Sequence, residues 1–182
     1  MARASVHVEP HDVVGIARHY IRDLVYGAND GIVTTFAVVA GVAGGELSHR
    51  VVLIVGAANL VADGLSMAVG NFASIRANES ARAMDDLPEE ESNPWRHAGA
   101  TFLAFVAAGS VPLVPYIVPT GGADAFRWSI AATLASLFAV GALRATVTIE
   151  RWWAAGLEML TLGALVAAAA YAAGATIAAL VA

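Results

Sequence analysis

The sequence contains no cysteine and few charged residues. Without cysteine, the 182-residue chain has no disulfides, no thiolate metal site and no thiol nucleophile. Charged residues make up only 14% of the chain against 58% hydrophobic residues, which leaves too little polar surface to cover a soluble domain. The composition therefore excludes an ordinary soluble domain and places the chain in a lipid bilayer.

Other absences narrow the function classes. A net charge of −5 disfavours nucleic acid as a partner. The sequence has no nucleotide-binding loop and no paired nucleophile and base, so we expect neither an enzyme nor a permanently bound cofactor. The first 23 residues lack the apolar core of a secretory signal. All ten basic residues are arginine and alanine is abundant, which favours a GC-rich prokaryotic genome and hence a prokaryotic inner membrane.

Five apolar stretches are long enough to cross about 30 Å of hydrocarbon as helices. We place these spans at 24–45, 51–74, 98–118, 128–149 and 153–181. The predicted fold class is an all-α membrane protein, with a single five-helix domain over residues 24–182. The preceding tail, residues 1–23, carries an amphipathic pattern over 11–22, which we expect to form an interfacial helix. His7 and His11 could bind metal there, but Pro10 interrupts their helical spacing and favours a solvated tail.

Arginine placement predicts the topology. One side of the predicted bundle carries Arg3, Arg18, Arg22, Arg76, Arg82, Arg96, Arg144 and Arg151. The opposite side carries Arg50 and Arg127. Since cytoplasmic loops hold the excess of basic residues, the N-terminus is expected in the cytoplasm and the C-terminus outside.

Two carboxylates lie inside predicted spans: Asp30 in the first and Asp63 in the second. A charged carboxylate near the middle of a bilayer costs about 2.5–3.5 kcal/mol on insertion scales. Such residues usually face the bundle interior or water, and mark an ion or proton path. Asp30 and Asp63 are therefore the first functional candidates. Asp23 lies at the cytoplasmic mouth of the same span and is an accessory candidate.

Span two carries a polar stripe, defined by Asn59, Asp63, Met67 and Asn71, which recur every four residues and so share one helix face. Amide, carboxylate and thioether together suit a partly dehydrated transition-metal ion, and the soft sulfur favours iron or manganese over magnesium or calcium. The alternative is that the asparagines only join helices and Met67 fills space. That alternative is favoured for Met67 or Asn71 taken alone, and a functional role is favoured for Asp63.

Small residues in the first two spans permit close helix packing. They are Ala37, Gly41, Gly45, Gly64 and Gly70. A two-fold dimer packed through spans one and two would place four carboxylates and two thioethers around one axis, a better cage for a divalent cation than two carboxylates alone. We therefore expect a homodimer in the lipid bilayer.

Three further features lie outside this pair of spans. Glu158 in span five would either relay protons or neutralise Arg144 or Arg151. Pro112 and Pro115 would kink or end span three. The predicted loop 75–97 offers weak cytoplasmic metal capture through Asp85, Asp86, Glu89, Glu90 and Glu91, although a solvated acidic loop is the ordinary interpretation.

Two motifs in spans one and two resemble a known family. Asp23-Leu-Val-Tyr-Gly-Ala-Asn-Asp-Gly31 and Ala62-Asp-Gly-Leu-Ser-Met-Ala-Val-Gly-Asn71 are similar to the first two spans of the vacuolar iron transporter family. The resemblance implies a five-helix homodimer that moves Fe2+, and often Mn2+, out of the cytosol in exchange for protons. It places family carboxylate and methionine positions on Asp30 and Met67, and a family aspartate on Asp23.

The chain departs from that family in two places. Asn59 stands where plant-type members carry a glutamate, and the acid lies one turn later at Asp63. The short loop 75–97 replaces a long glutamate-rich cytoplasmic domain, so the chain resembles the shorter members. Two other functions stay open: a transporter of another substrate, and a membrane sensor or scaffold whose acids only pair helices.

Overall fold

The computed structural model describes residues 5–118 and 123–181, so Arg3 of the topology prediction lies outside the described residues. Six α-helices follow one another in these residues. They are α1 (Val13–Gly44), α2 (His49–Met84), α3 (Pro94–Gly109), α4 (Val114–Ile117), α5 (Ala123–Arg144) and α6 (Trp152–Val181). A 3-10 turn over Val111–Leu113 joins α3 to α4, which together form one continuous crossing.

Five helical stretches of the described chain are long and apolar enough to cross a membrane. The third of them runs from Pro94 to Ile117 through the 3-10 turn. Apart from one isolated bridge between Ser5 and Glu89, the described residues form no β-structure. The predicted all-α membrane class with five spans is confirmed.

The helix ends differ from the predicted spans because a helix does not stop where hydropathy falls. The amphipathic residues 11–22 do not form a separate helix, since α1 runs without a break from Val13. The Gly15 N–H donates to the Asp12 carboxylate at 3.2 Å and caps that start. At the other end, α2 continues ten residues past 74 to Met84, so the acidic loop shortens to residues 85–93.

Helix α1 is the centre of the bundle and contacts α2, α3, α5 and α6. Its closest neighbour is α3, because Gly27 and Gly31 present bare backbone to the carbonyl groups of Thr101 and Phe105. A Cβ atom at either glycine would overlap those carbonyl oxygens. The glycines that flank Asn29 and Asp30 in the sequence motif therefore permit a helix crossing.

The prolines of span three, which were predicted to kink or end it, interrupt its helix inside the crossing. Helix α3 ends at Gly109, and the chain passes through the 3-10 turn with Pro112 before α4 begins with Pro115 near its start. The buried Ser129 hydroxyl of α5 donates to the Pro112 carbonyl at 2.7 Å. A neighbouring helix thus satisfies a carbonyl that the broken helix leaves without its usual partner.

The apolar core lies between α1, α2 and the third crossing. Its buried members are Phe36, Val39, Ala40, Val42, Val52, Leu60, Phe105 and Leu113. Met67 of the polar stripe packs against this core. The core therefore fixes one edge of the stripe, while the opposite side of α2 exposes Ile54, Val61 and Leu65.

Candidate functional site

The Asp30 and Asp63 side chains are brought together from α1 and α2. Both residues are half-buried, and their carboxyl groups lie close enough for their charges to interact. Within residues 5–118 and 123–181, neither carboxylate makes a hydrogen bond or an ion pair. The nearby Thr34 hydroxyl donates instead to the Asp30 backbone carbonyl at 2.8 Å. The two predicted acids therefore form a pair that lacks a counter-charge in the described chain.

The rest of the polar stripe divides into two parts. Asn59 and Met67, one turn before and one turn after Asp63, are both half-buried. The Asn59 Nδ2 atom is buried and has no hydrogen-bond partner among the described residues. A residue that only joined helices would have that amide paired, because an unpaired buried donor costs about 1–3 kcal/mol. The described contacts thus give the Asn59 amide nitrogen no interhelical partner.

Asn71 belongs to a different group, which we call the Asp23 network (Asp23, Asn71, His97, Thr101). The Asn71 Nδ2 amide donates to the Asp23 carboxylate at 2.8 Å and to the Thr101 hydroxyl at 2.8 Å. His97 Nδ1 lies 2.5 Å from the second Asp23 oxygen. Asp23 is only 2% exposed, so it is a buried acid held by three helices, α1, α2 and α3.

The five acids predicted for cytoplasmic capture have different surroundings. Asp85 and Asp86 are exposed just past the end of α2. The Glu89 carbonyl accepts from Val6 at 2.8 Å, and Glu90 pairs with Arg82 at 3.0 Å. Among these five acids, only Glu91 has a side-chain carboxylate in contact with histidine rings. Its oxygens lie 3.4 Å from a nitrogen of His7 and of His19, and 2.9 Å from His97 Nε2.

The N-terminal segment is therefore held against the loop and is not a solvated tail. Glu9 accepts from the Asn93 amide at 2.6 Å and pairs with Arg96 at 2.7 Å. Desolvation opposes the charged form of Glu9, but the contact with His7, the Arg96 guanidinium and the Asn93 amide together hold its pKa below the ordinary value. We call the side of the bundle where this segment and loop 85–93 lie the N-terminal side.

The contacts of Glu158 fit the second of its two predicted roles, the neutralisation of an arginine. Its carboxylate accepts from Arg144 at 2.6 Å, and the same guanidinium donates to Glu150 at 2.7 Å. Glu158 is exposed and sits near the start of α6. The contact supports charge neutralisation of Arg144.

Sequence reasoning missed His97, His19 and Thr101. The signal for His97 and Thr101 was their four-residue spacing at the start of span three, which places both on one face of a helix. His19 had no such signal, and the four-residue spacing of His7 pointed to His11 instead. His19 and His7 meet only because the chain before α1 folds back to the α2–α3 loop, which is a tertiary contact.

Comparison with known proteins matches these features to one family. The model of the VIT family matches residues 21–90 and 78–175, which include Asp23, Asp30, the whole polar stripe and His97. The two matched segments overlap in residues 78–90, at the end of α2 and in the loop that follows it.

Two relatives align along nearly their whole length. Vacuolar iron transporter 2 of Oryza sativa subsp. japonica is 28% identical over 91% of this chain and 89% of its own length. Vacuolar iron transporter 1 of Arabidopsis thaliana is 24% identical over 91% and 88%. A Vacuolar iron transporter of Toxoplasma gondii is 40% identical over 47% of this chain and 30% of its own length. Since the family model spans most of the chain, including both motif-bearing helices, the chain belongs to the VIT family.

Proposed function

We propose that this protein transports divalent iron, and manganese as a second substrate, out of the cytosol in exchange for protons. The observation that carries the proposal is the pair of half-buried carboxylates, Asp30 and Asp63, which have no cationic partner in the described chain. Two adjacent acids in a bilayer need a positive charge, and a divalent cation or two protons supply it. The names of the relatives, each called a vacuolar iron transporter, support iron as the substrate.

The exchange follows from the electrostatics of the pair. With a divalent ion bound between them, Asp30 and Asp63 are both ionised and their charge is neutralised. When the ion leaves, repulsion and desolvation both favour protonation, which removes the cost of the empty site. Metal-bound and protonated states are thus both neutral at the pair, whereas the empty ionised state is disfavoured. A carrier that does not pass through the empty, ionised state couples metal movement to proton movement.

The neighbours of the pair set ion preference. Met67 offers a thioether one turn from Asp63, and Asn59 an amide oxygen one turn on the other side. A thioether favours Fe2+ or Mn2+ over Mg2+ and Ca2+, which prefer oxygen ligands alone. The Asp23 network lies about 10 Å from Asp30 along α1, at 1.5 Å per residue, and would serve as the proton route between the pair and the N-terminal side.

A homodimer packed through α1 and α2 completes the proposed site. The exposed residues Val55 and Val69 lie on the α2 face beside the half-buried stripe. A second copy there would double the number of carboxylates and thioethers around one axis. In the proposed orientation, the N-terminal side faces the cytoplasm, as the arginine distribution predicts.

The proposal is tested in proteoliposomes that carry an internal pH indicator and an Fe2+-sensitive dye. Added Fe2+ should drive metal uptake together with proton movement in the opposite direction. Asp30→Asn and Asp63→Asn should each lower Fe2+ uptake at least tenfold, because a neutral amide cannot exchange a proton. Asp124→Asn, an exposed acid at the start of α5, is the matched control and should transport like the wild type.

The outcomes separate the alternatives. If wild-type protein moves no Fe2+ or Mn2+ but moves another cation, the substrate is wrong. If metal uptake is normal and proton flux is absent in every variant, the coupling is wrong. If both Asp→Asn variants transport normally, the acids only pair helices and a sensor or scaffold function is favoured.

A further inference from the structure

We propose that His7, His19 and Glu91, which we call the tail–loop cluster, bind a divalent transition-metal ion on the N-terminal side of the bundle. The three residues come from the segment before α1, from α1 and from the α2–α3 loop. The site needs no transport to exist, so the inference goes beyond the proposed function. It differs from the Asp30 and Asp63 pair, which lies inside the spans.

The geometry of the cluster suits a small ion. One ligand atom from each residue lies within 4.8 Å of the other two. The His7 Nδ1 to Glu91 Oε1 distance and the His19 Nε2 to Glu91 Oε2 distance are both 3.4 Å. Two donors about 2.1 Å from a tetrahedral ion are roughly 3.4 Å apart, so both pairs already have the separation that a shared ion imposes.

Burial of the cluster, with ring nitrogens that make no hydrogen bond, gives a second indication. The His7 side chain is only 6% exposed and that of Glu91 15%. The Nε2 atoms of His7 and His19 are buried and make no hydrogen bond among the described residues; their nearest carboxylate oxygens belong to Glu9 at 3.5 Å and Glu91 at 3.4 Å. Unpaired polar atoms in such surroundings are costly, and a neutral imidazole removes the cost by donating its lone pair to a metal. The cluster is thus more than a group of surface acids.

Nearby residues hold Glu91 in place. The Glu91 backbone N–H donates to the Glu79 carboxylate at 3.0 Å, which fixes the loop against α2. His97 Nε2 lies 2.9 Å from Glu91 Oε2, while its Nδ1 faces Asp23. A histidine that contacts a ligand carboxylate from outside the metal site fixes the orientation of that carboxylate, and His97 is placed to do this for Glu91. The cluster is therefore connected, through His97 and Asp23, to the first residue of the α1 motif.

The donor set defines the class of ion, and a cavity gives access to it. Two imidazoles and one carboxylate favour Fe2+, Co2+, Zn2+ or Mn2+ over Ca2+ and Mg2+, which prefer oxygen alone. Glu91 and His97 line an open cavity of about 430 Å³ together with Ser74 and Asn78 of α2. Glu91 is therefore reached from this cavity, whose lining also includes the side chain of Arg22.

The experiment measures Co2+ binding to the untagged full-length protein in detergent, by calorimetry and by the visible absorbance of Co2+. An Asp30→Asn/Asp63→Asn background removes the intramembrane acids. In that background, His19→Gln and Glu91→Gln should each weaken Co2+ binding at least tenfold and abolish its tetrahedral absorbance. His11→Gln, an exposed histidine of the same segment, is the matched control and should bind like the background protein.

A second measurement needs no variant of the cluster. Bound Cu2+ in the same background should show two nitrogen donors by electron paramagnetic resonance. If Cu2+ shows no nitrogen donor, or if His19→Gln and Glu91→Gln bind Co2+ as the background does, the proposed site is wrong. Failure of the proposed transport would leave these binding results unchanged, since no membrane gradient is involved.

Discussion

Replacing Gly31 with alanine probes the crossing of α1 and α3 that carries the Asp30 motif. A Cβ atom at Gly31 would overlap the Phe105 carbonyl oxygen and come within 3.0 Å of the Phe105 Cα atom. These are backbone atoms on a neighbouring helix, so no side-chain rotation relieves the contact. Gly41, on the same helix, has open space instead, because a Cβ atom there meets no atom within 4 Å.

Both substitutions gain helix propensity, but only Gly31→Ala introduces a steric clash. Alanine in place of a helical glycine favours the helix by about 0.8–1.0 kcal/mol at both positions. Overpacking against a fixed backbone costs about 1–3 kcal/mol and applies only to Gly31→Ala. We therefore expect Gly31→Ala to be less stable than Gly41→Ala by about 1–3 kcal/mol, with Gly41→Ala at or above wild-type stability.

The measurement is the free energy of unfolding, from titration of the purified protein with a denaturing detergent and helical circular dichroism as the signal. The difference between the two variants cancels the shared propensity term and isolates the crossing. Equal stability of Gly31→Ala and Gly41→Ala would refute the tight α1–α3 contact. It would also remove the structural reason for glycine beside Asp30.

Two further predictions concern buried hydrogen bonds. Asp23→Asn removes a charged acceptor that contacts His97 and Asn71, so the free energy of unfolding should fall by about 1.5–3 kcal/mol, with Asp124→Asn unchanged in the same detergent titration. Ser129→Ala leaves the Pro112 carbonyl without its donor and should cost about 1–3 kcal/mol, whereas Ser74→Ala, on exposed α2 surface, should cost less than 0.5 kcal/mol. Wild-type stability of Asp23→Asn or of Ser129→Ala would contradict the hydrogen bonds that the substitution removes.

The helical fold could be predicted from the sequence because bilayer thickness sets a length that a run of apolar residues either meets or does not. All five crossings were found in this way. The helix ends could not, because hydropathy reports where lipid ends and not where backbone hydrogen bonding ends. Residues 75–84 are too polar for lipid but continue α2, and residues 13–23 do the same for α1.

The candidate site was predicted in part. Asp30 and Asp63 were found because burial of charge is costly, and the structure brings them together. The four-residue period of the stripe correctly placed Asn71 on the Asp63 face, but it did not reveal that Asn71 binds Asp23. That contact depends on how α1, α2 and α3 pack. The prokaryotic inner membrane rested on arginine and alanine usage alone and stays a prediction, since the relatives named above come from plants and from Toxoplasma gondii.

The N-terminal segment packs on the α2–α3 loop, and this contact restricts how the loop can change in evolution. Val6 pairs with Glu89, Glu9 with Asn93, and His7 with Glu91, so segment and loop form one surface. An insertion that carried residues 89–93 away from the bundle would release the segment as well. An insertion here would require a new position for residues 5–12, so we expect the length of the loop and the sequence of this segment to change together.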